Sequence, residues 1–205
     1  MNKFDKQILV IDRKTLFGDS GFQGFSDAGR VDYYSRIQEN YLYKRRGDME
    51  ENPEYKQPIA YVLIVNPDEK KVFAYQRAGD ENYHENRLRG KWSWGIGGHI
   101  DHIDSENGDP IMTSLKRELE EEIGLLDYDE PKLIGYINDD LTQVGQVHFG
   151  LLFIVETDKA VNAMDAEISW GGFVNLDKLK EIKDSPDTRV ESWSEISFTP
   201  LQELL

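Results

Sequence analysis

Nine consecutive residues, Arg117-Glu118-Leu119-Glu120-Glu121-Glu122-Ile123-Gly124-Leu125, concentrate the chemistry this chain could perform. On a helix, Glu118, Glu121 and Glu122 share a sector about 100° wide, beside an apolar stripe of Met112, Leu115, Leu119 and Ile123. One face packs while the adjacent face gathers carboxylate oxygens. Like charges at this spacing repel by roughly 0.2–0.5 kcal/mol per pair, and anions near a helix C-terminus oppose its dipole, so the pattern calls for a positive partner. Hard divalent cations such as Mg²⁺ or Mn²⁺ take carboxylate oxygens and water, and can clamp a phosphoryl group during in-line attack. A solvated acidic face has the same composition; the flanking residues decide between the two.

The helix has its limits written in. Asp109 suits the N-cap, Pro110 the first helical position, and Gly124 the left-handed residue that ends a helix. Upstream, Lys91-Trp92-Ser93-Trp94-Gly95-Ile96-Gly97-Gly98-His99-Ile100-Asp101 reads as a strand ending in a glycine pair, where backbone can approach a ligand or metal closely. Strand, Gly-Gly turn, loop and carboxylate helix together suggest phosphate handling.

With these residues in view the chain resembles the Nudix family. That family's signature is Gly, five residues, Glu, seven residues, then Arg-Glu-U-x-Glu-Glu-x-Gly-U, where U is bulky and aliphatic. Residues 117–125 match its second half throughout. In the first half Asp109 stands where the family has Glu, and Gly98 precedes Arg117 by 19 residues against 14 in the pattern. The extra length falls within His99–Gly108, a polar stretch where an insertion costs little closure entropy.

The resemblance implies an α/β fold, a Nudix-like α/β/α sandwich with a mixed central sheet. It further implies Mg²⁺ or Mn²⁺ held by Glu118, Glu121 and Glu122 with a backbone carbonyl of Gly97 or Gly98. Glu118 or Glu121 would orient the attacking water or take its proton, and Arg117 would hold a glutamate in place. Glu167, just before a late strand, is the expected position of an additional carboxylate. The implied activity is hydrolysis of a diphosphate bond in a nucleoside diphosphate linked to another group. Two other functions share the fold. Isomerisation of isopentenyl diphosphate would need a catalytic cysteine, and the chain has none. A non-catalytic nucleotide-sugar sensor is the alternative, although the carboxylate set is complete and no basic helix-turn-helix accompanies it.

Composition narrows the partners. A net charge of −15 disfavours binding of a nucleic-acid duplex, which depends on Lys and Arg displacing counterions, and points to a small anionic ligand met by local positive charge. Arg77, Arg87, Arg89 and Lys91 cluster before the motif, and Arg77, following a strand, is the first choice to grip a substrate phosphate. No secretory segment or membrane-spanning apolar run is visible, so a cytoplasmic protein is expected; a homodimer is compatible with the sequence. His148 reads as a hydrogen-bonded core histidine, and His99 and His102 as lining the site because the lengthened loop lies near it. Trp92, Trp94 and Tyr83 suit either core packing or stacking on a base.

These residues need a scaffold. Residues 1–57 read as an extension packed on a main domain of 58–205. The extension would hold a strand at Gln7–Ile11, a loop with Phe17, Phe22 and Phe25, and a helix running through Val31, Tyr34, Ile37, Tyr41 and Leu42 to a basic end at Lys44-Arg45-Arg46. Strands are expected at Pro58–Val65, Val72–Gln76, Lys132–Ile137, Val144–Glu156 and Ile168–Val174. Helices are expected at Leu176–Ile182 and, briefly, at Thr199–Gln202.

Overall fold

Alternating apolar and β-branched runs give this chain its strands, and capped amphipathic segments its helices. The computed structural model describes residues 2–78, 88–161 and 168–205. In chain order the elements are β1 (Gln7–Asp12), α1 (Arg13–Phe17), β2 (Gly24–Asp27), α2 (Tyr33–Asn40), β3 (Leu42–Arg45), α3 (Arg46–Met49), β4 (Tyr55–Asn66), β5 (Lys71–Arg77), β6 (Trp92–Ser93), α4 (Pro110–Ile123), β7 (Lys132–Asn138), α5 (Gln143–Val147), β8 (His148–Glu156), β9 (Ile168–Asn175), α6 (Leu176–Asp184) and α7 (Ser192–Leu204). The architecture is mixed α/β, as expected. The chain divides into two compact units: residues 1–61, 97–116 and 133–153 form the first, and residues 62–96, 117–132 and 154–205 the second.

In the first unit the strands follow the order β2-β7-β8-β4-β1-β3. β1 pairs antiparallel with β3, Ile8 opposite Lys44, and with the start of β4, Ile11 opposite Lys56. The core takes Ile8 to Ile11, Leu16, Ile37, Ile100, Ile111, Leu115 and Phe149, all essentially inaccessible to solvent. In the second unit β5 pairs with the end of β4, with β6 and with β9, Phe73 facing Phe173. Its core is built from Val62 to Val65, Val72 to Tyr75, Trp94, Leu119, Ile123, Leu179 and Leu201.

Several expectations are corrected. Phe17 and Phe25 do not sit in a loop: Phe17 ends α1, whose cap is Asp12 accepting from Thr15 N at 2.7 Å, and Phe25 lies in β2 opposite Ile137. Aromatic packing drives this, since Phe17, Phe22, Tyr33 and Phe149 meet with ring centroids 5.4–6.2 Å apart. The helix stops at Asn40, before Tyr41 and Leu42, because β1 offers an edge that residues 42–45 complete. The basic triplet therefore lies on β3 and α3, where Arg45 pairs with Asp5 and Asp48, and Arg46 with Glu50. Thr142 accepts from Gly145 N at 3.1 Å and caps α5, so β8 begins only at His148. Thr199–Gln202 belongs to the longer α7, with Pro200 inside it; burial of Ser194, Ser197, Phe198 and Leu201 outweighs the weak apolar signal of its serine-rich start.

Candidate functional site

The carboxylate helix α4 is closed at both ends by the residues its sequence supplies. Asp109 Oδ1 accepts from Ile111 N at 2.9 Å, and Asp109 O receives both the N–H and the hydroxyl of Thr113 at 2.9 Å. At the far end Gly124 has φ +64, Gly124 N donates to Glu120 O and Leu125 N to Leu119 O. This six-to-one bond across a left-handed glycine satisfies carbonyls that would otherwise lack partners. Ile111, Leu115, Leu119 and Ile123 are buried along one side, with Met112 half-buried beside them.

That burial sets the exposure of the carboxylates. Glu118 keeps 13% of its side-chain surface and Glu121 61%, while Glu122 is half-buried. Arg117 ties the first two together: one guanidinium nitrogen lies 2.5 Å from Glu118 Oε1 and 3.2 Å from Glu121 Oε2. A charge-assisted bond of this kind fixes one oxygen of Glu118 and offsets part of the repulsion along the helix. Among the described residues no group of three or more His, Asp or Glu side chains converges as a metal cage. The donor set is nonetheless chemically suited to a hard dication, with Glu118 and Glu122 one turn apart on a single helix face.

The glycine pair lies in the first unit. A Cβ on Gly97 would stand 2.4 Å from Ala60 O, so only glycine lets this backbone lie against β4. Ile59 bridges His99 beside it. His99 Nε2 meets Gln57 Oε1 at 2.8 Å and His148 Nε2 at 3.2 Å, and His148 Nδ1 donates to Val144 O at 2.7 Å. Gln57 Nε2 donates to Met49 O at 3.1 Å, which turns the Gln57 oxygen toward His99 Nε2. Burial, and next the neighbouring His148, hold His99 well below the ordinary histidine range. His148 is thus the core histidine expected, and His102 packs on the Tyr43 ring with centroids 4.6 Å apart.

Arg77 is held by Glu191, by Tyr75 Oη at 3.0 Å, and over the Tyr75 ring at 5.2 Å. Trp94 is buried against Phe198, whereas Trp92 meets the part-exposed Trp170 at 5.3 Å. Tyr83, Arg87 and Glu167 lie outside the described residues. Sequence reasoning missed two features. Glu191, the partner of Arg77, is 114 positions away and carries no local signal. Tyr34 and Gln38, which donate to Asp109, lie on what reads as an ordinary amphipathic helix.

The NUDIX domain model matches residues 55–193. Protein YmaB of Bacillus subtilis is 36% identical, over 95% of this chain and 97% of that protein. The crystal structure of Tm1382, a candidate Nudix hydrolase, superimposes with a TM-score of 0.80 at 25% identity, covering 98% of this chain and all of that one. The Nudix domain of Shewanella oneidensis NrtR, solved with ADP-ribose, gives 0.53 at 15% identity and covers 72% of this chain and 88% of its own. The chain belongs to the Nudix family and has its fold.

Proposed function

We propose that this protein is a divalent-metal-dependent hydrolase that splits the diphosphate bond of a nucleoside diphosphate linked to another group, releasing two phosphate-bearing products. The observation carrying the reading is the complete run from Arg117 to Leu125 on a doubly capped helix, with Glu118 and Glu122 part-buried and Arg117 bonded to Glu118. Glu118, Glu121 and Glu122 of α4 would hold Mg²⁺ or Mn²⁺. Such an ion, when bound, neutralises phosphate charge and lowers the pKa of an attacking water.

The chain's own groups account for the remaining work. Arg117 fixes the Glu118 carboxylate, which would orient the water or accept its proton. Arg77, held over the Tyr75 ring, presents a guanidinium suited to a phosphate once Glu191 yields it. The substrate class is supported by the ADP-ribose bound in the NrtR Nudix domain.

The test is incubation with ADP-ribose and other nucleoside diphosphate derivatives, with Mg²⁺, Mn²⁺ or EDTA, following products by ³¹P NMR. Two phosphomonoester products that require metal are expected. Binding of these compounds without any phosphorus product at either metal would overturn the hydrolase reading and favour a sensor.

A further inference from the structure

We infer that Tyr34 and Gln38 of α2 are positioning residues for the carboxylate helix, acting through Asp109. The two carboxylate oxygens of Asp109 have separate roles. Oδ1 caps α4 through Ile111 N, while Oδ2 receives the Tyr34 hydroxyl and, at 2.7 Å, Gln38 Nε2. Capping needs only the first oxygen; the second ties the start of α4 to another helix. Tyr34 and Gln38 are four residues apart, so they project from one face of α2 and reach the same atom.

The platform behind them is anchored independently of α4. Asp32 caps α2 through Ser35 N at 2.9 Å, Tyr136 Oη accepts from Tyr34 N at 3.2 Å, and Arg36 donates to Leu16 O at 2.6 Å. Ile37 is fully buried, and the Tyr34 ring stands edge-on to Phe153. Burial, and then the bond to Asp109, hold the Tyr34 hydroxyl protonated far above the ordinary tyrosine range, so it remains a donor.

The lever is long. From Asp109 to Glu122 the helix extends about 19 Å at 1.5 Å per residue, so a tilt of about 3° at the cap moves the carboxylate end by about 1 Å. Misplacement on that scale can cost on the order of a hundredfold in rate. The N-terminal segment thereby aims the helix that carries Glu118, Glu121 and Glu122.

The kinetic arm of the test rests on the hydrolase reading and the Mn²⁺ arm on its metal site; the exchange arm rests on neither. Tyr34→Phe/Gln38→Ala removes both donors, and Asp109→Ser keeps a capping oxygen while losing reach to α2. Both variants should remain folded, with amides 117–123 exchanging hydrogen at least about threefold faster and Mn²⁺, followed by its EPR signal, binding several-fold more weakly. In turnover, kcat should fall about tenfold or more and half-saturating Mg²⁺ should rise, with KM for the diphosphate within about twofold. Tyr34→Phe alone, keeping Gln38, should restore most of the loss. Wild-type exchange and Mn²⁺ affinity in both variants would overturn the inference, whether or not the protein hydrolyses anything. Altered exchange and metal binding in a protein with no turnover would uphold it and sink the hydrolase reading instead.

Discussion

Replacing Gly97 by alanine should destabilise the protein by about 2–3 kcal/mol, and the structure shows why the chain cannot absorb one methyl group there. The added Cβ would stand 2.4 Å from Ala60 O, 3.2 Å from Ala60 C and 3.1 Å from Ile59 Cγ2. An ordinary contact between carbon atoms is about 3.5–4.0 Å, so the backbones must part by roughly 1 Å. Pairing on both sides opposes that movement. Val62 N donates to Ile96 O at 2.8 Å and Ile96 N to Val62 O at 3.0 Å, while Ile59 bridges His99. Opening by 1 Å takes such bonds beyond hydrogen-bonding reach, each worth about 1 kcal/mol, and overpacking a buried site costs about 1–3 kcal/mol by itself. For a chain of this length 1 kcal/mol shifts the melting temperature by about 2–4 °C, giving a fall of roughly 5–10 °C by circular dichroism. Gly21→Ala is the control, because its Cβ would meet Phe17 at an ordinary 3.6 Å. Equal melting temperatures for the two variants would refute the reasoning.

Three further outcomes follow from groups already described. Glu122→Gln should abolish Mg²⁺-dependent hydrolysis with an unchanged melting curve; full activity in a steady-state assay would remove Glu122 from the ligand set. Stability should fall on acidification below about pH 6.5, because the unfolded chain protonates His99 while the folded protein, whose His99 is held lower, does not. The slope attributable to His99 is at most about 1.4 kcal/mol per pH unit, and urea titrations at pH 7.5, 6.5 and 5.5 should show a shallower dependence in His99→Gln. Lys56, fully buried, donates to Asp140 at 2.9 Å, to Gly145 O at 2.7 Å and to His148 O at 3.2 Å. Lys56→Met should therefore cost roughly 2–4 kcal/mol in urea unfolding, since Asp140 keeps Arg13 but both carbonyls lose their donor. An unchanged midpoint would show that those bonds contribute nothing net.

What could be read ahead of the structure was what the chain encodes locally. Asp109, Pro110, the stripe through Leu115, Leu119 and Ile123, and Gly124 specify α4 without reference to anything distant. The buried runs of β4 and β5 do the same. Misreadings fell where a distant partner overrides local pattern. Tyr41 and Leu42 continue a helical period, yet residues 42–45 complete the edge of β1. Val144 and Val147 look like strand residues, yet the Thr142 cap turns them into a helical turn. The site divides in the same way. The identities of the carboxylates and of Arg117 are local, whereas the pairings of Arg77 with Glu191 and of Asp109 with Tyr34 and Gln38 exist only once the chain has folded.

The two departures from the family pattern, the segment before β4 and the long loop after Gly98, form a single structural unit. The loop carries its own fastening, a reciprocal capping box between Asp101 and Asp104 that starts a short 3-10 turn at His102–Asn107. It is then attached to the N-terminal segment at several points: Leu9 N donates to Ile100 O at 2.8 Å, Ile8 bridges Asp101, Lys6 pairs with Asp101 at 2.6 Å, and Tyr43 packs on His102. In the Lys6 pair the lysine is half exposed, and the contribution is about 1 kcal/mol at most. Burial of Ile8, Leu9 and Ile100 contributes more, at about 1.5–3 kcal/mol for each aliphatic side chain removed from water. Five extra loop residues cost only tenths of a kcal/mol in closure entropy, so the added length is easily offset by the surface it lets the loop cover. Past Gly98 the loop is fastened to β1 through Ile100 and Asp101, and it reaches Asp109 where Tyr34 and Gln38 receive it. Both ends of the connection between the glycine pair and the carboxylate helix are thus held by residues that the shorter family pattern does not contain.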